Sequence, residues 1–267
     1  MSLRDLSLKR VYRSYGEDSI SDMINPLLSH AISYKRSVRW VIIMIDYNNS
    51  LNKLKDFFKS FKYEYDSNDF FKSLKNYSED TKIITDCVPT PFVGSIENPD
   101  IIVLALNPSF DKVQDEMDKI ILDWNESDNY YDFLTRIDVV NVNDSAKRIP
   151  FTTAWWRNVF DGVTVNKSVG IFNLMCYHSK HYPTTKKILL LSQEIVIDYI
   201  KALLNNNKEI KVIFVWGKKY WLNFISDELK GHTCFELNEG NNKMNNSISN
   251  AINNKISNYK ELKKLFG

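Results

Sequence analysis

At 267 residues, 43% of them hydrophobic and 25% charged, the chain can bury a sizeable core and has the balance of a folded globular protein rather than a disordered or fibrous one. A net charge of +2 and a pI near 8.2 are too mild to argue for nucleic acid on bulk charge. Cys87, Cys176 and Cys234 stand far apart with no Cys-X-X-Cys spacing, which argues against zinc and against a four-thiolate iron–sulfur cluster.

The same cysteine usage fits a reducing, cytoplasmic compartment. The first ten residues are charged throughout and carry no apolar signal core. No apolar run is long enough to span a bilayer, so no membrane partner is expected.

In chain order, Glu17 to Lys35 reads as helical, interrupted or restarted at Pro26. Trp40 to Ile45 is a compact apolar run whose period fits strand and buried helix equally. Leu51, Leu54, Phe57, Phe58 and Phe61 recur at spacings of three and four, the pattern of an amphipathic helix with lysines on its solvated face. Residues 1–85 are therefore expected to form a helical extension that packs on the core, and residues 86–267 an α/β domain.

Cys87 to Gly94, with Pro89, Pro91 and Gly94, reads as a loop. Ile101 to Leu106 is an unbroken apolar run that stops at Asn107-Pro108, the pattern of a strand buried on both faces. Val113 to Trp124, Tyr130 to Ile137 and Phe151 to Phe160 read as helices. Val169 to Cys176 reads as a second core strand with Asn173 embedded in it, followed by Tyr177-His178-Ser179-Lys180-His181. Lys186 to Leu204 is a long helix offering Ile188, Leu189, Leu191, Ile195, Tyr199 and Leu203 to the core.

Lys211 to Lys218 reads as a third strand, Lys219 to Leu229 as its helix, and Thr233 to Leu237 as a fourth strand. Asn238 to Asn254 has the composition of a polar loop, and Ile248 to Leu265 closes the chain as a helix. Alternating strands and helices predict a three-layer α/β/α fold around a mostly parallel central sheet of about four strands. Ligands of such sheets collect outside the carboxyl ends of the strands. Three strand exits qualify: Asn107-Pro108-Ser109-Phe110, Asn173 with Tyr177-His178-Ser179, and Trp216-Gly217-Lys218. Neither a dinucleotide fingerprint, nor a P-loop, nor a Gly-X-Ser-X-Gly elbow is present.

Gly94, then the apolar run Ile101 to Leu106 ending in Asn107-Pro108, resembles the first motif of the uracil-DNA glycosylase superfamily. The likeness is to its mismatch-specific and single-strand-selective branches. Asn173 resembles the base-reading asparagine of that family, and Val212 to Lys218 its third core strand. The resemblance runs from about Pro89 to the C-terminus. Ala105 and Ser109 stand where the motif has glycine, and no C-terminal His-Pro-Ser loop is matched by His232 or by Glu239 to Asn246. The resemblance implies excision of uracil or another damaged base from flipped-out DNA, single- or double-stranded, without metal or cofactor.

The residue chemistry agrees with that expectation. Asn107 cannot take a proton readily, but its carbonyl oxygen can hold and aim a water, with Asp111 the nearest carboxylate to assist. Asn173 offers a donor and an acceptor in one plane, a match to uracil and a mismatch to cytosine. Phe110 can stack on the extruded ring, and His178 can donate to the base oxygen as charge develops. Ser109, Ser179 and Lys218 complete the expected substrate contacts. Each residue also has a plainer use: Asn107-Pro108 as a helix start, Asn173 as a bulge partner, Phe110 and Trp216 as packing, Lys218 as a solvated cation. Two other functions fit the same residues: a non-catalytic nucleic-acid or nucleotide-binding module, and an enzyme acting on a nucleoside or sugar phosphate.

Overall fold

The computed structural model describes residues 46–59, 89–106, 130–135, 159–160, 162–179, 190–238 and 247–266. The chain divides into two compact units, Met1–Asp46 and Tyr47–Gly267, and the description below concerns the second. The helices read at Glu17 to Lys35 and Val113 to Trp124, the apolar run Trp40 to Ile45, and nearly all of Phe151 to Phe160 lie outside the described residues.

The expected α/β class is found, on a mixed sheet of five strands with helices around it. Strand β1 is Phe92–Gly94, β2 Ile101–Ala105, β3 Val169–Asn173, β4 Lys211–Phe214 and β5 Cys234–Glu236. The helices are α1 (46–59), α2 (Tyr130–Thr135), α3 (Leu191–Asn206), α4 (Lys218–Ile225), α5 (Ile248–Asn253) and α6 (Tyr259–Phe266). The spatial order is β1-β3-β2-β4-β5. Strand β2 lies parallel to β3 and β4, β4 parallel to β5, and β1 antiparallel to β3.

The unbroken apolar runs are explained by where they lie. All five residues of β2 are buried, because the strand has a neighbour along each edge. Phe92 and Phe172 are register partners and sit on one face. Phe58 of α1 meets Phe92 edge to face at 5.2 Å, and Tyr131 of α2 meets it at 5.7 Å. Tyr199 of α3 lies 6.1 Å from Phe172 and donates its hydroxyl to the Ile96 carbonyl at 2.6 Å. Of the predicted stripe of α1, Leu51, Leu54 and Phe58 are buried and Phe57 packs partly buried against the core, while Phe61 lies outside the described residues.

The β1–β2 turn is tied down by charge as well. Glu97 accepts from Lys55 Nζ at 2.7 Å and from the Tyr131 hydroxyl at 3.0 Å, and its carbonyl accepts from Tyr47. Burial opposes ionisation of Glu97, but the Lys55 and Tyr131 hydrogen bonds and the Lys55 charge together hold its carboxyl below the ordinary value. Burial, then the Glu97 carboxylate, push the Tyr131 phenol up.

Four sequence readings change. Part of the Cys87 to Gly94 loop is strand β1, which makes the sheet mixed and five-stranded. Its prolines precede the paired residues, and the Pro91 carbonyl still accepts from Asn173 N at 2.9 Å. Leu191, assigned to the core, is 44% exposed at the first turn of α3. The buried turn-mate there is Leu190, whose N–H is received by Gln193 Oε1 at 2.9 Å.

The third and fourth changes concern the C-terminus. Helix α5 forms inside the Asn-rich stretch because Ser247 caps it, its hydroxyl oxygen accepting from Asn250 N at 3.2 Å. The single helix read from Ile248 to Leu265 is then two helices, because the chain turns left-handed at Lys255 (φ 52°) and Asn258 (φ 62°). Ile256 N donates to Ala251 O at 3.2 Å and Lys255 N to Ile252 O at 3.1 Å, the paired bonds of a Schellman ending.

Two outcomes follow from this packing. Gly170 faces Gly94 across β1 and β3, and a Cβ there would stand 2.6 Å from the Ser95 carbonyl oxygen. Gly170→Ala is expected to cost about 1–3 kcal/mol, read as a lower urea midpoint at unchanged slope. Because Glu97 titrates lower folded than unfolded, its contribution is complete above its ordinary value of 4.5 and is lost as pH falls below it. Glu97→Gln should therefore narrow the gap between melting temperatures measured at about pH 6 and about pH 3.

Candidate functional site

The carboxyl edge of the parallel strands is assembled by non-local hydrogen bonds. Beyond the end of β2, the Ala105 carbonyl receives Leu174 N at 3.0 Å and the Leu106 carbonyl receives Met175 N at 2.7 Å, so the two exits stay zipped together. Thr90 N donates to Cys176 O at 2.6 Å, which brings the segment before β1 against the same exit. Farther along the edge, Val215 N donates to Leu104 O at 3.1 Å and Leu237 N to Phe214 O at 3.0 Å.

Asn173 is the last residue of β3 and pairs in register with Ala105. It is 2% exposed. Its Nδ2 donates to the Thr90 carbonyl at 2.7 Å, which fixes the orientation of the carboxamide. Its Oδ1 is buried and has no hydrogen-bond partner. A buried amide oxygen without a donor costs about 1–3 kcal/mol, so such groups call for an explanation in a functional or hydrated site. One N–H of the amide is committed to Thr90, and the acceptor remains unspent.

A second carboxamide repeats the arrangement. Asn238, just past β5, donates Nδ2 to the Val215 carbonyl and leaves its own Oδ1 buried without a partner. It lies beyond β4 from Asn173 in the strand order, with the exits of β2 and β4 between them.

In a sheet of this order the expected crevice lies between β2 and β4, where successive crossovers run in opposite directions. Among the described residues, Leu106, Gly217 and Trp221 stand there. Gly217, with φ of 73°, lies so close to Leu106 that a Cβ on it would fall 2.1 Å from Leu106 Cδ2. Trp221, wholly buried, donates Nε1 to the Ala105 carbonyl at 2.9 Å. The unsatisfied acceptor stands at the end of β3, beside the switch point rather than in it.

The remaining predicted residues are distributed unevenly. Asn107, Ser109, Phe110 and Asp111 lie outside the described residues, as do Lys180, His181 and Glu239 to Asn246. His178 and Ser179 follow Asn173 by five and six residues; both are buried, and both already have partners. Lys218 opens α4 and pairs with Glu236 of β5 at 2.9 Å, with its ammonium 6.0 Å from the centre of the Phe214 ring. Trp216 is partly buried against the core, as its packing role required.

His232 stands elsewhere. Its Nδ1 lies 3.0 Å from the Ile210 carbonyl and its Nε2 3.0 Å from the Leu204 carbonyl, between the end of α3 and the start of β4. That is the amino edge of the sheet, opposite Asn173.

Sequence reading missed Thr90, Trp221 and Asn238. The first two act across 83 and 116 residues, a span that no local pattern reports. Asn238 carried a local signal, an asparagine directly after a predicted strand, the placement that singled out Asn107. Among the described residues no group of three or more His, Cys, Asp or Glu side chains is placed to hold a metal ion, and no helix is long and apolar enough to cross a membrane.

The unpaired, buried Asn173 Oδ1 has a measurable consequence. Asn173→Leu removes the unpaired oxygen along with the Thr90 bond and is expected to cost about 1–2 kcal/mol. Asn173→Asp loses the same bond and buries a charge, and should cost about 3 kcal/mol or more by urea unfolding at neutral pH. Equal losses for the two variants would mean that the oxygen is already solvated. Compared with protein-family models, with curated proteins and with solved structures, the chain finds no match in any of the three.

Proposed function

We propose that this chain is a nucleobase-excising hydrolase of the uracil-DNA glycosylase type, built as a three-layer α/β/α domain. It would cleave the N-glycosidic bond of uracil or another damaged or modified base flipped out of DNA. The observation that carries the reading is the buried, unpartnered Oδ1 of Asn173 at a strand exit. A pyrimidine imide presents an N–H beside a carbonyl oxygen. Asn173 Oδ1 accepts that N–H, and the amide hydrogen not given to Thr90 can donate to the adjacent oxygen. Cytosine places a lone pair where the N–H is needed and leaves the oxygen unpaired, a difference of about 1–3 kcal/mol against it.

In this proposal the bond between C1′ and the base nitrogen breaks, and its electron pair leaves with the base. Water adds to C1′ from the opposite side and loses a proton, giving free base and an abasic sugar. Asn107 holds and aims that water, with Asp111 assisting. Phe110 stacks on the ring. His178 donates to the base oxygen as negative charge grows there, exchanging one of its present partners to do so. Ser109, Ser179 and Lys218 contact the sugar–phosphate chain. No metal or cofactor takes part in the proposal.

A binding module on the same scaffold is the second reading. It is favoured by the position of His232 at the amino edge, which leaves no described histidine from the C-terminal segments beside Asn173.

The test is release of free base from oligonucleotides carrying uracil and other modified bases. The wild-type protein should release base, and Asn107→Ala should be slower by about a hundredfold or more at unchanged melting temperature. DNA binding that survives Asn107→Ala, with no alkali-labile product from the wild-type protein on any substrate, would establish the binding module instead.

A further inference from the structure

Trp221 is far from Asn173 in sequence, in a helix on the other side of β2, yet its indole shares one acceptor with Leu174, the neighbour of Asn173. The Ala105 carbonyl receives the Trp221 indole N–H at 2.9 Å and the Leu174 N–H at 3.0 Å. A carbonyl oxygen has two lone pairs, so both donors can be served at once. Leu174 is the residue directly after Asn173, and Asn173 is itself the register partner of Ala105. The indole therefore fixes the oxygen from which the main chain beside the carboxamide hangs.

Three further observations make this a constructed clamp. Trp221 is fully buried, so its N–H has no water to turn to. Gly217, in the turn that launches the helix carrying Trp221, sits at φ of 73° and leaves the space that the Leu106 side chain fills. The Leu106 carbonyl then accepts from Met175 N at 2.7 Å, extending the junction two residues past the end of β3. Packing alone would need an apolar side chain at position 221; the indole adds one directed donor, aimed at the carbonyl that anchors the Asn173 exit.

We infer that Trp221 is a positioning residue for the base-reading carboxamide, acting through the Ala105 carbonyl. The inference rests on the nucleobase reading of Asn173. It predicts that loss of the indole N–H loosens the exit of β3 and slows the chemical step, while the DNA contacts made elsewhere keep affinity.

The experiment uses the full chain with Trp221→Phe, which keeps the ring and removes the donor. Expected are an amide exchange rate at Leu174 about tenfold faster than wild type, single-turnover base release about tenfold slower or more, and an oligonucleotide Kd within about twofold. A change confined to stability would leave the rate below the melting transition untouched, so the split between rate and Kd separates positioning from structural support. Unchanged exchange at Leu174 overturns the clamp whatever the activity does. Faster exchange with an unchanged release rate overturns the positioning role. Wild-type protein that releases no base overturns the reading of the site and the role with it, and is told apart by the exchange difference, which persists. Should Trp221→Phe not fold, benzothienylalanine at position 221, with sulfur in place of the indole N–H, gives the same measurements.

Discussion

Strand β2 has no free edge. Its residues pair with β3 on one side and β4 on the other, and none of the five is more than 1% exposed. A strand so enclosed can carry polar chemistry only where it ends, because any polar side chain along it would be buried without a donor or acceptor. Polar side chains are therefore confined to the strand ends, and Asn173 stands at the carboxyl end of the neighbouring β3. Helices α1 and α3 reinforce the constraint by closing one face with Phe58 and Tyr199 against Phe92 and Phe172.

At that edge most hydrogen-bonding groups of the described residues named above are paired. Backbone groups beyond β2 and β3 satisfy one another, the Thr90 carbonyl is served by Asn173, and the Ala105 carbonyl by two donors. Among the buried side-chain atoms of the described residues, the Oδ1 of Asn173 and the Oδ1 of Asn238 have no partner. Leaving one such oxygen without a donor costs a sizeable fraction of a domain's net stability of about 5–15 kcal/mol. A rigid, pre-oriented acceptor needs no reorganisation when a donor arrives, and this is the physical basis for reading the site as one that selects a ring N–H.

Much of this plan is visible in the sequence, for a definite reason. Strands covered on both faces are written as unbroken apolar runs, and Ile101 to Leu106, Val169 to Phe172 and Val212 to Val215 stand out accordingly. The stripe of α1 is legible through its period, and Asn173 through being the one polar side chain in its run. The invisible parts depend on partners distant in the chain. Strand β1 exists because Phe92 to Gly94 finds β3, and nothing in a proline-flanked triplet announces that. The break after α5 uses Lys255 in a left-handed position where glycine would have been a signal. The Trp221 clamp joins two segments whose local patterns say only that each is apolar. The histidine that drew notice near the C-terminus, His232, is engaged at the opposite edge, where its ring bridges two carbonyls.

The sheet is bordered by its two shortest members. Strands β1 and β5 are three residues each, against five in β2 and β3, so the ladder tapers toward both margins. An incoming chain that sought to extend the sheet would find too brief a row of amides and carbonyls for lasting registry. On the β5 side the Cys234 carbonyl is also approached by Asn258 Nδ2 at 3.5 Å. An apolar centre is thereby kept from recruiting neighbours edge to edge, and the same taper discourages fibrillar self-assembly.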